Sequence, residues 1–263
     1  RALFVSKADG SQITKLLETS ARFDFGRPSW SSNGTQLVCA IDSSINNSRI
    51  WRIDVNGGNR TELAAPPAGR WNRNPQCSPR PVAGQDKVLF AQIQGSPQRS
   101  LIYSVNLSGG APTQLTPNDT EYYIFPSWSR DASKIAYSSE TKLYVAASDG
   151  SSRQAIVSAS NPFFATFSPN GDKIAYTSYG NRKLFVVTST GANVDSGLPN
   201  SPKLLTSTLS DDDTPFWWSP DGEEICWQAN DQLHTVNVRG AAVDRIFLQP
   251  TGAKNRIPSW WSP

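Results

Sequence analysis

The chain has 263 residues, a length at which one all-β domain with an extensive core is common. Charged residues make up 18% and the formal net charge is only +3, which argues against nucleic acid as the main partner. A single histidine and the lack of a Cys-x-x-Cys pair argue against a metal site, and no apolar run is long enough to span a membrane. We therefore expect no cofactor and no membrane span.

The predicted elements repeat from the first residues onward. Residues 1–20 contain two strand patterns around a glycine-bearing turn, "ALFVSKADGSQITKLL". A second phrase then recurs: an aromatic residue, serine, a small residue or proline, a turn residue, often glycine, and an alternating apolar strand. Its copies begin at Trp30, Cys77, Trp128, Phe167, Trp218 and Trp261, at spacings of 47, 51, 39, 51 and 43 residues, and the copy at Cys77 is degenerate, with cysteine in place of the aromatic residue and an insertion.

Each complete copy continues with a strand, a glycine-bearing turn and a further strand, as in "RIWRIDVNGGNRTEL" and "KLYVAASDGSSRQAI". One repeat is therefore an antiparallel unit of four strands, which we call A to D. Four-stranded units repeating at this spacing are typical of a β-propeller. We predict an all-β, six-bladed propeller that forms a single domain over residues 1–263. N- and C-terminal strands would close the ring in one shared blade, made of about residues 1–20 and 258–263 and apparently lacking one strand.

The recurring residues have expected structural roles. The aromatic residue of each copy is expected to wedge between adjacent blades, and Asp221 with its equivalents is expected to hold the A–B turn. His234 occupies the position of Tyr144 in an earlier repeat, which favours a strand residue over a general base. The cysteines lie far apart in strand-like segments and are expected to be buried free thiols: Cys39, Cys77 and Cys226.

The recurring phrases resemble those of TolB-like propellers, also described as PD40 or WD40-like repeats. Trp-Ser-Pro-Asp-Gly at 218–222 and Leu-Tyr-Val-x-x-x-Asp-Gly at 143–150 carry the resemblance, which extends over essentially the whole chain. The family includes a periplasmic protein that binds a lipoprotein and the propellers that cover serine peptidases of the prolyl oligopeptidase type. The resemblance implies a binding scaffold in the periplasm or outside the cell.

Sequence motifs for catalysis are absent. No Gly-x-Ser-x-Gly elbow, Walker loop, Gly-x-Gly-x-x-Gly or His-Glu-x-x-His occurs, so we expect no enzyme activity and no catalytic or metal-binding residues. A carboxylate pair acting as acid and base stays open, with Asp211–Asp213 the densest cluster and Asp119 with Glu121 the next. We interpret both clusters as solvated loops.

The segments just before the A strands are predicted to be loops around one mouth of the central channel. They are rich in arginine and aromatic residues, which are enriched at interface hot spots, with acidic residues opposite. The predicted partner-binding residues are Arg22, Arg27, Arg70, Trp71, Arg73, Tyr122, Tyr123, Phe125, Asp211, Asp213 and Arg256.

Three functions fit these observations. The first is a scaffold that binds a protein or peptide without catalysis. The second is a propeller that binds or acts on carbohydrate, because Trp71, Tyr122 and Tyr123 could stack on sugar rings; a glycan partner therefore stays possible. The third is the propeller part of a longer peptidase.

Overall fold

A computed structural model describes residues 2–7, 9–18, 28–42, 47–158, 161–198, 201–207, 209, 216–229, 232–239 and 244–247. These residues form 22 strands and no helix. The strands are β1 (Ala2–Val5), β2 (Thr14–Glu18), β3 (Ser29–Trp30), β4 (Gln36–Asp42), β5 (Ser48–Asp54), β6 (Arg60–Ala64), β7 (Arg70–Cys77), β8 (Lys87–Gln94), β9 (Arg99–Asn106), β10 (Thr113–Gln114), β11 (Ile124–Trp128), β12 (Lys134–Ser138), β13 (Lys142–Ala147), β14 (Gln154–Ser158), β15 (Pro162–Phe167), β16 (Lys173–Ser178), β17 (Lys183–Thr188), β18 (Lys203–Thr206), β19 (Phe216–Trp218), β20 (Glu224–Ala229), β21 (Gln232–Asn237) and β22 (Asp244–Phe247).

The strands from β3 onward form five four-stranded sheets, β3–β6, β7–β10, β11–β14, β15–β18 and β19–β22, in which sequence neighbours are also neighbours in the sheet. Their strands pair antiparallel, as do β1 and β2 in a separate two-stranded sheet. This order confirms the predicted all-β architecture of antiparallel A–B–C–D units. Residues 258–263 lie outside the described residues, so the closing blade and the count of six stay predictions.

The chain divides into two compact units, residues 1–135 with 147–151 and residues 136–146 with 152–263. The core of the first unit includes Val38, Ile50 and Phe90, and the core of the second includes Val186 and Trp227. Second strands of the repeats are buried on both faces, and in β16 every residue is buried. A strand covered on both sides is expected to be almost continuously apolar, which explains runs such as "KIAY".

A serine and an Asp or Asn hold the turn between strands A and B. The Ser219 hydroxyl donates to Asp221 Oδ1 at 2.5 Å, and the same oxygen accepts the Glu223 N–H at 3.0 Å. The Ser219 oxygen in turn accepts the Glu224 N–H at 2.9 Å. The same serine-to-Asx bond occurs at Ser31–Asn33, Ser129–Asp131 and Ser168–Asn170. The structural role predicted for Asp221 and its equivalents is confirmed.

Aromatic side chains pair across strands B and C at one repeated position. Phe90 lies opposite Tyr103, Tyr176 opposite Phe185, and Trp227 opposite His234, with ring centroids 5.8, 5.4 and 5.2 Å apart. Tyr137 and Tyr144 stack in the same way at 5.5 Å. His234 is buried in this stack, which confirms that it is a strand residue equivalent to Tyr144.

Consecutive sheets approach each other closely within each unit. The Trp128 indole N–H donates to the carbonyl of Gln76 in the preceding A strand at 3.1 Å, and the Trp218 indole donates to Thr166 in the same way at 3.2 Å. The predicted wedge position is confirmed for these residues. Trp30 differs, since it is 50% exposed, and the A strand expected to precede it lies outside the described residues.

Glycine in the C–D turn permits a second close approach. Gly150 has a φ of +86°, and an added Cβ would collide with the carbonyl oxygen of Leu115 at the end of the preceding sheet. Gly191 lies against Ile156 in the same manner, with a φ of +89°. The glycine of the second phrase is therefore required at these two turns by both conformation and space.

The three cysteines are buried free thiols, as predicted. Burial raises the pKa of Cys39 and of Cys77 to about 12, so both stay protonated at neutral pH. We expect none of the three to react with Ellman's reagent in the native protein at about pH 8, and all three to react after denaturation. Absorbance at the released thiolate band measures this, and rapid labelling of the native protein would contradict the described burial.

The turn residue Asp131 offers a test of the serine–Asx bond. Hydrogen bonds, chiefly from the Ser129 hydroxyl, lower the pKa of Asp131 to about 2. Its contribution to stability should be present above about pH 4 and lost as the pH falls towards about 2. Replacement by alanine should lower the free energy of unfolding by about 1 kcal/mol. Asp131→Asn should stay close to wild type at neutral pH, since Asn33 and Asn170 accept the equivalent bonds.

Urea unfolding at several pH values measures these differences. If Asp131→Ala and Asp131→Asn proved equally stable, the hydrogen bond would not be what holds this turn.

Candidate binding site

The structure describes part of the predicted partner-binding set. Six of its members lie in the first unit: Arg70, Trp71, Arg73, Tyr122, Tyr123 and Phe125. The other five lie outside the described residues and stay predictions: Arg22, Arg27, Asp211, Asp213 and Arg256.

Several predicted loop residues belong to strands. Arg70, Trp71 and Arg73 lie in β7, and Phe125 lies in β11. The prediction that the binding segments are loops is wrong for these residues, because β7 and β11 extend over them and β8 pairs with Arg70, Trp71 and Arg73 as far as its end at Gln94. Their side chains therefore project from a hydrogen-bonded strand, which orients them more firmly than a loop would.

A β-bulge separates these residues from the rest of β7. The register of β7 against β8 shifts between Arg73 and Gln76, and Asn74 within the bulge has a φ of +53°. Pro75 cannot donate a ladder hydrogen bond, so the pairing breaks at this point. A bulge re-aims the neighbouring side chains, which sets Arg73 apart from the regular alternation of the strand.

The same backbone feature recurs in other A strands. Phe125 has a φ of +52° and Phe164 a φ of +47°, each three residues before the recurring aromatic of its own repeat. A positive φ is uncommon for a bulky residue and indicates stored strain, which often accompanies a binding function. The sequence interpretation missed these bulges, although Pro75 and Pro126, two residues before the recurring position, could have indicated them.

Two buried amides orient the guanidinium of Arg70. Its Nη1 donates to Gln92 Oε1 at 3.0 Å, and Gln92 Nε2 donates to Asn72 Oδ1 at 3.3 Å. Asn72 Nδ2 donates to the carbonyl oxygen of Ala64 at 3.1 Å. Asn72 is fully buried and Gln92 nearly so, whereas Arg70 is half-buried. Buried polar side chains joined in this way hold one another in a single arrangement.

Arg73 has a different environment, because it faces a carboxylate. Its Nη2 lies 3.3 Å from Asp42 Oδ2 at the end of β4, and the side chains are 30% and 14% exposed. The charge of Arg73 is therefore neutralised within the protein. Together, Asp42, Arg70, Trp71, Asn72, Arg73 and Gln92 form what we call the β7 site.

The indole of Trp71 lies against a glycine. A Cβ added at Gly95 would be 3.3 Å from Trp71 Cη2 and 3.4 Å from Cζ3. Trp71 is half-buried, so part of its flat surface stays open to solvent. Trp71 shares its face of β7 with Arg73, and Arg70 lies on the opposite face, so this end of the strand carries two residue types that dominate binding hot spots.

Tyr122 and Tyr123 lie apart from the β7 site. Tyr123 is 0% exposed, and its hydroxyl donates to Asp119 Oδ2 at 2.8 Å. Its burial gives Tyr123 a packing role in this structure, and contact of Tyr123 with a partner stays a prediction. Tyr122 bridges to Ser100 at the outer edge of β9, in the same row as Trp71. Three strand spacings, about 14 Å, separate the backbones of Tyr122 and Trp71.

The acidic pair beside these tyrosines is part of a turn. Asp119 Oδ1 accepts the Glu121 N–H at 3.1 Å, and the Asp119 carbonyl accepts a bond from the Arg99 guanidinium. The second acidic cluster, 211–213, lies outside the described residues. The residues that the structure describes contain no group of three His, Cys, Asp or Glu side chains able to hold a metal ion. They also contain no helix with the length and hydropathy needed to cross a bilayer.

No family model matches this sequence. Solved structures resemble it over most of its length. TolB from Acinetobacter baumannii matches 90% of the chain at 20% identity with a TM-score of 0.63, and the match covers 57% of that protein. A putative TolB from Agrobacterium tumefaciens matches 93% of the chain at 17% identity with a TM-score of 0.63, covering 87% of that protein.

The chain shares the β-propeller fold of these TolB proteins. The fold is shared more widely, since an oligogalacturonate lyase from Vibrio parahaemolyticus matches 97% of the chain at 11% identity with a TM-score of 0.67, covering 73% of that protein. At these identities the similarity establishes the fold alone. The present propeller also spans little more than half of the Acinetobacter protein, so that protein's role does not transfer with the fold.

The ion pair between Arg73 and Asp42 can be tested by measuring stability. Arg73→Glu would place a second carboxylate beside Asp42 where that side chain is mostly buried. We expect this change to lower the free energy of unfolding by about 1–3 kcal/mol. The double variant Asp42→Asn/Arg73→Glu should recover most of the loss, because the like charges are removed.

Urea unfolding of the two variants and of wild type measures the coupling. An Arg73→Glu protein as stable as wild type would show that the Arg73–Asp42 pair contributes nothing to the fold.

Proposed function

We propose that this TolB-like propeller is a binding module that holds a protein or peptide at the β7 site and performs no catalysis of its own. We further propose that it works in the periplasm or outside the cell, as the resemblance to TolB-like propellers implies. The observation that carries the proposal is that the half-buried Arg70 and Trp71 project from successive positions of one paired strand, and that two buried amides hold Arg70 in place.

This arrangement suits binding for a physical reason. Ordering a long side chain on association costs about 0.5–1.5 kcal/mol, and a side chain that is already held loses less. Gln92 orients Arg70 and Gly95 supports the ring of Trp71 before any partner arrives. Both residues keep part of their surface open, so a partner can cover that surface and exclude water from it.

The non-catalytic part of the proposal is supported by what the reactive side chains do. The raised pKa of Cys39 and of Cys77 leaves neither thiol nucleophilic at neutral pH. Asp131 accepts bonds that hold a turn, and His234 is stacked in a buried column. Each of these groups has a role in the fold, and this supports a function without catalysis.

A carbohydrate ligand is the second candidate. Trp71 offers a flat, partly open ring, and the side-chain amides of Asn72 and Gln92 lie close by. The similarity to an oligogalacturonate lyase adds a propeller whose name refers to a sugar acid. The peptide proposal is favoured, because the buried amides of Asn72 and Gln92 already bond to each other, and Gln92 also bonds to Arg70. These amides are therefore not presented to a ligand.

Selection from a random peptide library displayed on phage tests the peptide proposal with the full chain as bait. We expect enriched sequences whose synthetic peptides bind with a Kd that Trp71→Ala raises by about tenfold or more. Trp30→Ala is the matched control. It removes the same side chain from β3, next to Ser29, which bonds to Cys77 at the far end of β7, about 20 Å along that strand from Trp71.

Fluorescence anisotropy of labelled peptides measures the Kd values. Absence of any sequence enriched over the bare support would contradict peptide binding. Equal losses in Trp71→Ala and Trp30→Ala would contradict the assignment to the β7 site.

A further inference from the structure

We infer that the segment bound at the β7 site presents a carboxylate to Arg70, so that the propeller selects acidic peptides. The inference rests on the proposed function and specifies the chemistry of its partner. It is carried by the way in which charge is distributed among the arginines at this end of the sheets.

Two of the neighbouring arginines are neutralised by carboxylates within the protein, whereas Arg99, in the same row of the sheet as Arg70, donates to the backbone carbonyl of Asp119. Arg73 pairs with Asp42, and Arg49 Nη1 lies 2.8 Å from Glu62 Oε2. Arg70 stands in contrast to both. Among the residues that the structure describes, its side chain contacts the neutral amide of Gln92 and no carboxylate lies within ion-pair distance. Within the described part of the chain, the half-buried positive charge of Arg70 is therefore not compensated by a carboxylate.

An uncompensated guanidinium determines which partners can cover it. Removing a charge from water without an opposite charge is strongly unfavourable, so an apolar or basic segment placed over Arg70 would lose affinity. A carboxylate supplies the missing charge and accepts hydrogen bonds at the same time. The site therefore discriminates by penalising neutral and basic segments as well as by attracting acidic ones.

The N–H groups of the Arg70 guanidinium are also arranged to bind a carboxylate. A guanidinium carries five N–H donors, and Gln92 Oε1 takes one of them at Nη1. Gln92 cannot turn its own N–H groups towards Arg70, since Nε2 is already bonded to Asn72 Oδ1. The Oε1 atom of Gln92 therefore faces Arg70. The remaining N–H groups of the planar guanidinium are available to bind a carboxylate in a bidentate manner.

A double-mutant cycle between protein and peptide tests the inference, using the peptides selected with the wild-type chain. We expect those peptides to share an Asp or Glu at one position. Changing that residue to Asn or Gln should raise the Kd by about 10- to 100-fold, and Arg70→Gln should do the same. On the Arg70→Gln protein the peptide change should have little further effect, because the two groups interact.

Two further variants separate charge from geometry. Arg70→Lys keeps the charge but loses the planar fork, so it should retain only part of the affinity. Arg130→Gln removes an exposed arginine from the turn after β11 and should leave the Kd unchanged. Thermal unfolding of each variant shows whether the fold is retained, and Arg70→Lys provides the measurement if Arg70→Gln is destabilised.

The outcomes distinguish this inference from the proposed function. Peptides that bind through Trp71 but show no acidic preference, or no coupling to Arg70, would overturn the inference and leave the peptide-binding function in place. A library that yields no binder would overturn both. Binding of oligogalacturonate to wild type but not to Arg70→Gln, without any peptide binder, would overturn both in favour of the carbohydrate alternative.

Discussion

The hydrogen bonds of the A–B turn hold strands A and B of a repeat in register. In the turn around Ser219, one hydroxyl binds both the Asp221 carboxylate and the backbone N–H of Glu224, which holds the two strands in one register. A slip of one residue would exchange the two faces of a strand. The aromatic pair Trp227–His234 and the indole bond of Trp218 to the preceding sheet both depend on this register.

Against this regular frame, the A strands depart from ideal pairing at one recurring place. Asn74, Phe125 and Phe164 all have a positive φ three residues before the recurring position of their repeats. In β7 the bulge lies between the core-forming end of the strand and the end that carries Arg70 and Trp71. One end of β7 is therefore held in the core, and the side chains at the other end can serve binding.

The two arginines on that end illustrate how neighbouring residues of one type acquire different roles. Asp42 neutralises Arg73, so this residue contributes to the cohesion of β4 and β7. The amides of Gln92 and Asn72 orient Arg70 without cancelling its charge. Arg70 is thus oriented but keeps its positive charge, and an acidic partner would supply the opposite charge. In this way the packing of the sheet is linked to the proposed selectivity for acidic segments.

The sequence by itself determined the repeat, the four-strand unit and the turn role of Asp221, because these follow from local periodicity and local hydrogen bonds. It also placed His234 in a strand, since that position carries Tyr144 in another repeat. Only the tertiary structure decided that Arg70 lies in a strand, that Tyr123 is buried and that Asp42 neutralises Arg73 but not Arg70. These facts depend on side chains distant in sequence, and no local pattern encodes which of two nearby arginines a remote carboxylate will reach.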